Sequence, residues 1–136
     1  MGPARIVVVL AVPQLAIGLW AVLAPANWFE TFTGIDPRLV AAEPPFNAHL
    51  ATDAGAGFLA TGIALAVAAA WGQRRVVQLA LLTCLAFTLP HAVYHATNPA
   101  PGLTAGEDLL NVILLASSPV WVAVFAWGSR QPRTGR

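Results

Sequence analysis

Three histidines and a few acids are the side chains here whose types and spacing could support chemistry. His91 and His95 stand one helical turn apart, just after Pro90 in a long apolar run, so both imidazoles project from one helix face. His49 and Asp53 repeat that spacing on an earlier apolar segment, and Glu107, Asp108 and Asn111 open a later one. Together His49, Asp53, His91 and His95 make a nitrogen and oxygen ligand set suited to zinc, copper(II), iron or manganese. Asp108 or Asn111 would complete it or orient an imidazole, with Glu107, Tyr94 and Thr88 around them. A haem held between His49 and a histidine of the later pair is a variant, against which the small-residue face of the His49 segment argues. The His-x-x-x-His spacing lacks the glutamate of a metalloprotease helix, so it names no reaction.

Two other readings use the same residues. In one, the cluster is an outward-facing pocket where His91 and Asp53 bind or shuttle protons for a quinone, lipid or other amphiphile. In the other, it is a structural network that fixes helix register in an accessory subunit of a larger membrane complex or a homo-oligomer. The spacing leaves all three open, and with them the question of an enzyme. Most members also have a plain structural role: Glu107 and Asp108 suit a helix start, Tyr94 an interfacial anchor, and Cys84 a small apolar filler.

The elements that must position these groups follow from composition. Of 136 residues 57% are apolar and 10% charged, and the mean hydropathy is +0.68. That is too apolar for a soluble domain of this size, so the chain reads as one domain whose solvent is a lipid bilayer. A net charge of +1, the lack of lysine and the absence of a glycine-rich phosphate loop exclude a nucleic-acid partner and the common nucleotide folds. One cysteine rules out a disulfide framework.

Four apolar segments, 4–24, 47–71, 75–97 and 105–127, are each long enough to cross a ~30 Å hydrocarbon core, so the fold class is an all-α integral membrane four-helix bundle. Pro13, followed by Gln14, predicts a kink in the first, and Pro119 beside Ser117 and Ser118 another in the last. Cleavage as a signal peptide, with processing near residue 26, is the competing reading of the first segment; its apolar run is longer than a signal h-region. The loop 25–46 carries a short interfacial helical segment, with Asn27 as a cap, Trp28 and Phe29 at headgroup level, and Asp36-Pro37 opening a second short helix over 38–42. Glu43-Pro44-Pro45 is a rigid extended approach to the second span. There Ala51, Gly55, Gly62, Ala66 and Ala70 offer a small-residue face for close packing. Gly72 to Arg75 make a tight basic turn, and Thr104 with Glu107 has the spacing of a capping box for the fourth helix.

Arg5, Arg74, Arg75, Arg130, Arg133 and Arg136 fall on one side and only Arg38 on the other, which puts both termini in the cytoplasm of a multi-pass cell-membrane protein. All six acids and all three histidines then lie in the outer half. Counted from the helix ends, Asp53 and His91 both sit roughly 9 Å inside the outer boundary. A buried charge at that depth costs at least ~2.5 kcal/mol without a partner, so Asp53 needs His91, His49, an ion or water beside it, and His91 is the preferred partner. Cys84, Thr88, His91 and His95 share one stripe that looks into the bundle, as do Asp108, Asn111 and Ser118.

The run Pro45-Phe46-Asn47-Ala48-His49, with Asp53, Gly55 and the His91/His95 pair, resembles small bacterial four-helix inner-membrane proteins that have a proline-phenylalanine-asparagine lead into a His/Asp helix and a later histidine pair. The plan also looks like the DoxX-type group, some of which are linked to respiratory or redox complexes. The first resemblance implies the four-helix fold and spans the second and third helices; the second is architectural and implies no residue role.

Overall fold

The computed structural model describes the backbone of residues 3–128 and the side chains of 7–124; the Arg5 side chain and the basic tail expected from 129 onward lie outside the described residues. Five helices follow in order: α1 (Pro3–Leu23), α2 (Pro25–Thr31), α3 (Ala48–Trp71), α4 (Arg74–Thr97) and α5 (Ala105–Gly128). The architecture is all-α. Helices α3, α4 and α5 are each long and apolar enough to cross a membrane, and α1 with α2, bent by 119° at Ala24, makes a fourth span if the pair is counted as one.

Local chemistry accounts for the boundaries. The Asn47 side chain accepts from the Leu50 amide at 3.1 Å and starts α3. Gly72, left-handed at φ 64°, ends it, and Gln73 starts α4 directly. Helix α5 opens with the expected capping box: the Thr104 hydroxyl accepts from the Glu107 amide at 3.4 Å, and the Glu107 carboxylate accepts from the Thr104 amide at 2.9 Å.

The loop is less helical than its sequence predicts. Residues 38–42 form one hydrogen-bonded turn rather than a helix, because the Asp36 carboxylate takes the Arg38 guanidinium at 3.0 Å instead of capping an amide. Asn27 does not cap α2 either; its side chain accepts from the Trp20 indole at 2.8 Å. Trp28 is not a headgroup anchor but is buried in a cluster with Ala21, Ala51, Ile17 and Phe32.

Helices α1 and α3 share the most extensive interface, α4 packs on both α3 and α5, and α1 and α5 scarcely touch. The close pair rests on missing side chains. A Cβ on Gly18 would lie 2.5 Å from the Leu59 amide nitrogen, and one on Gly55 2.8 Å from the Ala21 Cβ, so the two backbones are in direct contact. The small-residue face expected of the second span is thus turned toward α1 at Ala51, Gly55 and Gly62, which are buried, while Ala66 is half-buried and Ala70 exposed.

Candidate functional site: a cavity between α1, α4 and α5

The loose α1–α5 seam encloses a cavity of about 390 Å³. Helix α1 contributes Leu10, Pro13, Gln14 and Ile17, α4 contributes Phe87, Thr88, His91 and His95, and α5 contributes Asn111, Leu114 and Ser118. Trp28 and Phe32 from α2 and its end, with Leu39, Val40 and Glu43 from the loop, cover the end nearest the α1–α2 bend. The loop is held there by the Gly102 amide, which donates to the Ala42 carbonyl at 3.1 Å.

Both expected inward stripes form. Cys84 and Thr88 are buried and His91 and His95 half-buried, and the Thr88 hydroxyl donates to the Cys84 carbonyl at 2.8 Å. On α5, Asn111 is buried and Ser118 half-buried, its Oγ 4.0 Å from the Cys84 sulfur. The two imidazoles lie with ring centroids 4.9 Å apart, and His91 stacks parallel to Phe87 at 6.3 Å. The Nδ1 of His95 lies 3.6 Å from the Oε1 of Glu43, within ion-pair reach but beyond a hydrogen bond.

The other half of the predicted centre is elsewhere. His49 and Asp53 pair with each other at 3.4 Å on the outside of α3, their side chains 83% and 60% exposed, and neither lines the cavity. The expected His91–Asp53 pair is therefore replaced by His49–Asp53 on one helix and by His95–Glu43 across the bundle. The cause is helix rotation: Ala51 and Gly55 face α1, and residues two positions away are carried about 200° round the axis, to the opposite side. Among the described residues no three His, Cys, Asp or Glu side chains are arranged to hold a metal ion, so the four-residue metal centre does not assemble.

The remaining residues have structural places. Glu107 is engaged with Thr104, Asp108 accepts from the Ala100 amide at 3.1 Å, and Tyr94 is exposed with its ring edge-on to His95 at 5.6 Å. Glu43, Trp28 and Gln14 are the members that sequence reasoning missed. Gln14 carried a readable signal, as the one strongly polar residue inside the first span; Glu43 did not, because only the folded loop brings it over His95.

Four buried polar atoms have no hydrogen-bond partner among the described residues: Gln14 Oε1, Trp28 Nε1, Glu43 Oε1 and His95 Nδ1. The four residues that carry them line this one cavity, and two of the atoms, Glu43 Oε1 and His95 Nδ1, are the ion-paired ones. Comparison with protein families, with curated proteins and with solved structures finds no match for the chain.

Proposed function

We propose that the protein binds a small amphiphile taken from the lipid bilayer, held in the cavity between α1, α4 and α5 with its polar end toward His91, His95 and Glu43. The observation that carries this reading is a largely apolar cavity whose lining includes His91, His95 and Glu43 and which lies where α1 and α5 barely meet. A volume of about 390 Å³ lies in the range of small-molecule sites.

The seam offers a route from the membrane. Val9, Leu114 and Trp121 line the cavity and are exposed on the bundle surface, where α1 and α5 barely meet. Arg74 and Arg75 at the α3–α4 turn support placing that turn in the cytoplasm and the His95–Glu43 end outside. The role is binding or carriage of a membrane-dissolved molecule, with His91 and His95 as the groups able to exchange a proton with it.

The test is to purify the full chain in mild detergent, extract it and count bound amphiphiles by mass spectrometry, beside Leu114→Trp. That substitution fills the seam from a half-exposed position and leaves the helix caps untouched. Near-stoichiometric cargo in the wild type, lost in the folded variant, is the expected result. Equal cargo in both, or none in either after incubation with a bacterial lipid extract, overturns the proposal.

A further inference from the structure

We infer that the loop 32–47 is a lid over one end of the cavity, latched to α4 by the Glu43–His95 ion pair and released when His95 gives up its proton. This rests on the reading of the cavity as an amphiphile site and adds how exchange of its occupant is controlled. The loop is joined to the two sides of the bundle in different ways. Toward α1 and α3 the join is apolar, with Phe32 and Val40 packed against the cluster of Trp28, Ala21 and Ala51. Within the loop the backbone bonds to itself: the Leu39 amide donates to the Phe32 carbonyl at 3.0 Å and the Glu43 amide to the Val40 carbonyl at 3.1 Å. Toward α4 and α5 the ties are polar. The Gly102 amide donates to the Ala42 carbonyl at 3.1 Å, and Glu43 Oε1 lies 3.6 Å from His95 Nδ1, the two side chains 33% and 13% exposed. Leu39, Val40 and Glu43 line the cavity between the two sides, so parting the polar ties opens its end.

One of these ties depends on pH and the other does not. At 3.6 Å there is no hydrogen bond to replace the attraction, so the pair holds only while the imidazole is charged, and histidine changes charge between about pH 5 and pH 8. The sign follows: the latch is shut on the acidic side and lost as pH rises. Among the residues lining the cavity the other titratable group is His91, on the same helix with its ring centroid 4.9 Å from that of His95; α1, α3 and α5 add none. A proton on His91 repels one on His95, which narrows the acidic range of the latch and cannot open it at high pH. The nearby acids are engaged elsewhere, Asp108 with the Ala100 amide, Glu107 with Thr104 and Asp36 with Arg38.

The lid is read directly, without cargo, in the full chain in mild detergent with Cys84→Ala. Leu39→Cys puts a thiol at a position 8% exposed under the lid, and Thr33→Cys puts one on the exposed part of the same loop. The ratio of their maleimide labelling rates is expected to rise about fivefold from about pH 5.5 to about pH 8, the scale of one half-exposed ion pair. With His95→Gln or Glu43→Gln added, the ratio is high and equal at both pH values, whereas with His91→Phe it still rises; far-UV circular dichroism checks that each variant folds. Preloaded monodecanoylglycerol, followed by native mass spectrometry, is released faster by a similar factor at the higher pH. A labelling ratio that ignores pH, or a rise that survives in His95→Gln, overturns the latch. Equal release at both pH values overturns its control of the site. If labelling responds as expected but the chain holds no monodecanoylglycerol, the lid stands and the amphiphile reading falls.

Discussion

Replacing Gly18 with alanine tests the contact that positions the cavity's α1 wall. The new methyl group would lie 2.5 Å from the Leu59 amide nitrogen, 2.8 Å from the Leu59 Cα and 2.9 Å from the Gly55 carbonyl oxygen, all backbone atoms that no rotamer change can move. Restoring ordinary van der Waals separation requires α1 and α3 to part by about 1 Å, which forfeits a quarter to a half of the dispersion energy of each contact pair along the seam. In lipid that packing is the main force between helices, so overpacking here costs about 1–3 kcal/mol beyond the ~1 kcal/mol that alanine returns as a better helix former. Gly106→Ala is the control: a Cβ there meets nothing within 4 Å. Reversible unfolding of the purified protein in mixed micelles of increasing SDS fraction measures both. Gly18→Ala is expected to unfold earlier and Gly106→Ala no earlier than wild type, the two differing by about 2 kcal/mol, or roughly thirtyfold in the unfolding equilibrium. Because Gln14 and Ile17 lie within one turn of Gly18, the displaced helix also holds less amphiphile. Should Gly18→Ala unfold with wild type or after it, α1 and α3 do not meet backbone to backbone, and the explanation of the open α1–α5 seam is wrong.

Other consequences can be checked with the same protein. Thr104→Ala removes the hydroxyl that accepts from the Glu107 amide and donates to its carboxylate, and is expected to cost about 1 kcal/mol in the SDS titration, with Thr104→Ser restoring most of it. His49→Ala and Asp53→Ala break only an exposed pair, so each stays within about 0.5 kcal/mol of wild type and keeps its bound amphiphile, whereas His91→Ala loses cargo; a matching loss in His49→Ala would return that residue to the site. For orientation, a cysteine placed at Thr33 in a Cys84→Ala background is expected to react with a membrane-impermeant maleimide on intact cells. One at Gln73 reacts only after the cells are opened, and the reverse pattern inverts the topology.

The long helices were legible to within a residue, since expectations of 4–24, 47–71, 75–97 and 105–127 became Pro3–Leu23, Ala48–Trp71, Arg74–Thr97 and Ala105–Gly128. Length, hydropathy and breakers such as Gly72 and Pro99 act locally, and so does the Thr104–Glu107 box. Helix rotation is not local. Distance from the helix ends puts Asp53 and His91 at one height but fixes no direction for either, and near a helix end a carboxylate can turn outward to reach water or headgroups without a partner in the bundle. The small-residue face of α3 held the missing constraint: once Ala51 and Gly55 face α1, His49 and Asp53 must point away. On α4 the inward stripe is legible because Cys84, Thr88 and His91 continue it away from the helix end, and Cys84 and Thr88 are buried. The loop was least legible. Glu43 reaches His95 only because the Gly102 amide ties Ala42 down, a contact between residues sixty positions apart in the chain.

The cavity follows from how α1 divides its surface. Its glycine face is committed to α3, and what remains for α5 is Leu10, Pro13, Gln14 and Ile17, which meet Asn111, Leu114 and Ser118 without small residues to let the backbones close. Packing cannot fill the seam. Stability and occupancy must therefore be linked. A ligand that binds only the folded bundle raises its unfolding free energy by RT ln(1 + [L]/Kd), about 2.7 kcal/mol at a hundredfold excess over Kd. In the SDS titration, monodecanoylglycerol at that level is expected to shift the wild-type midpoint upward and leave Leu114→Trp nearly unmoved, because the tryptophan already occupies the seam. A midpoint that moves equally in both proteins would mean that the amphiphile acts on the micelle or the outer surface, and that the cavity is not where it binds.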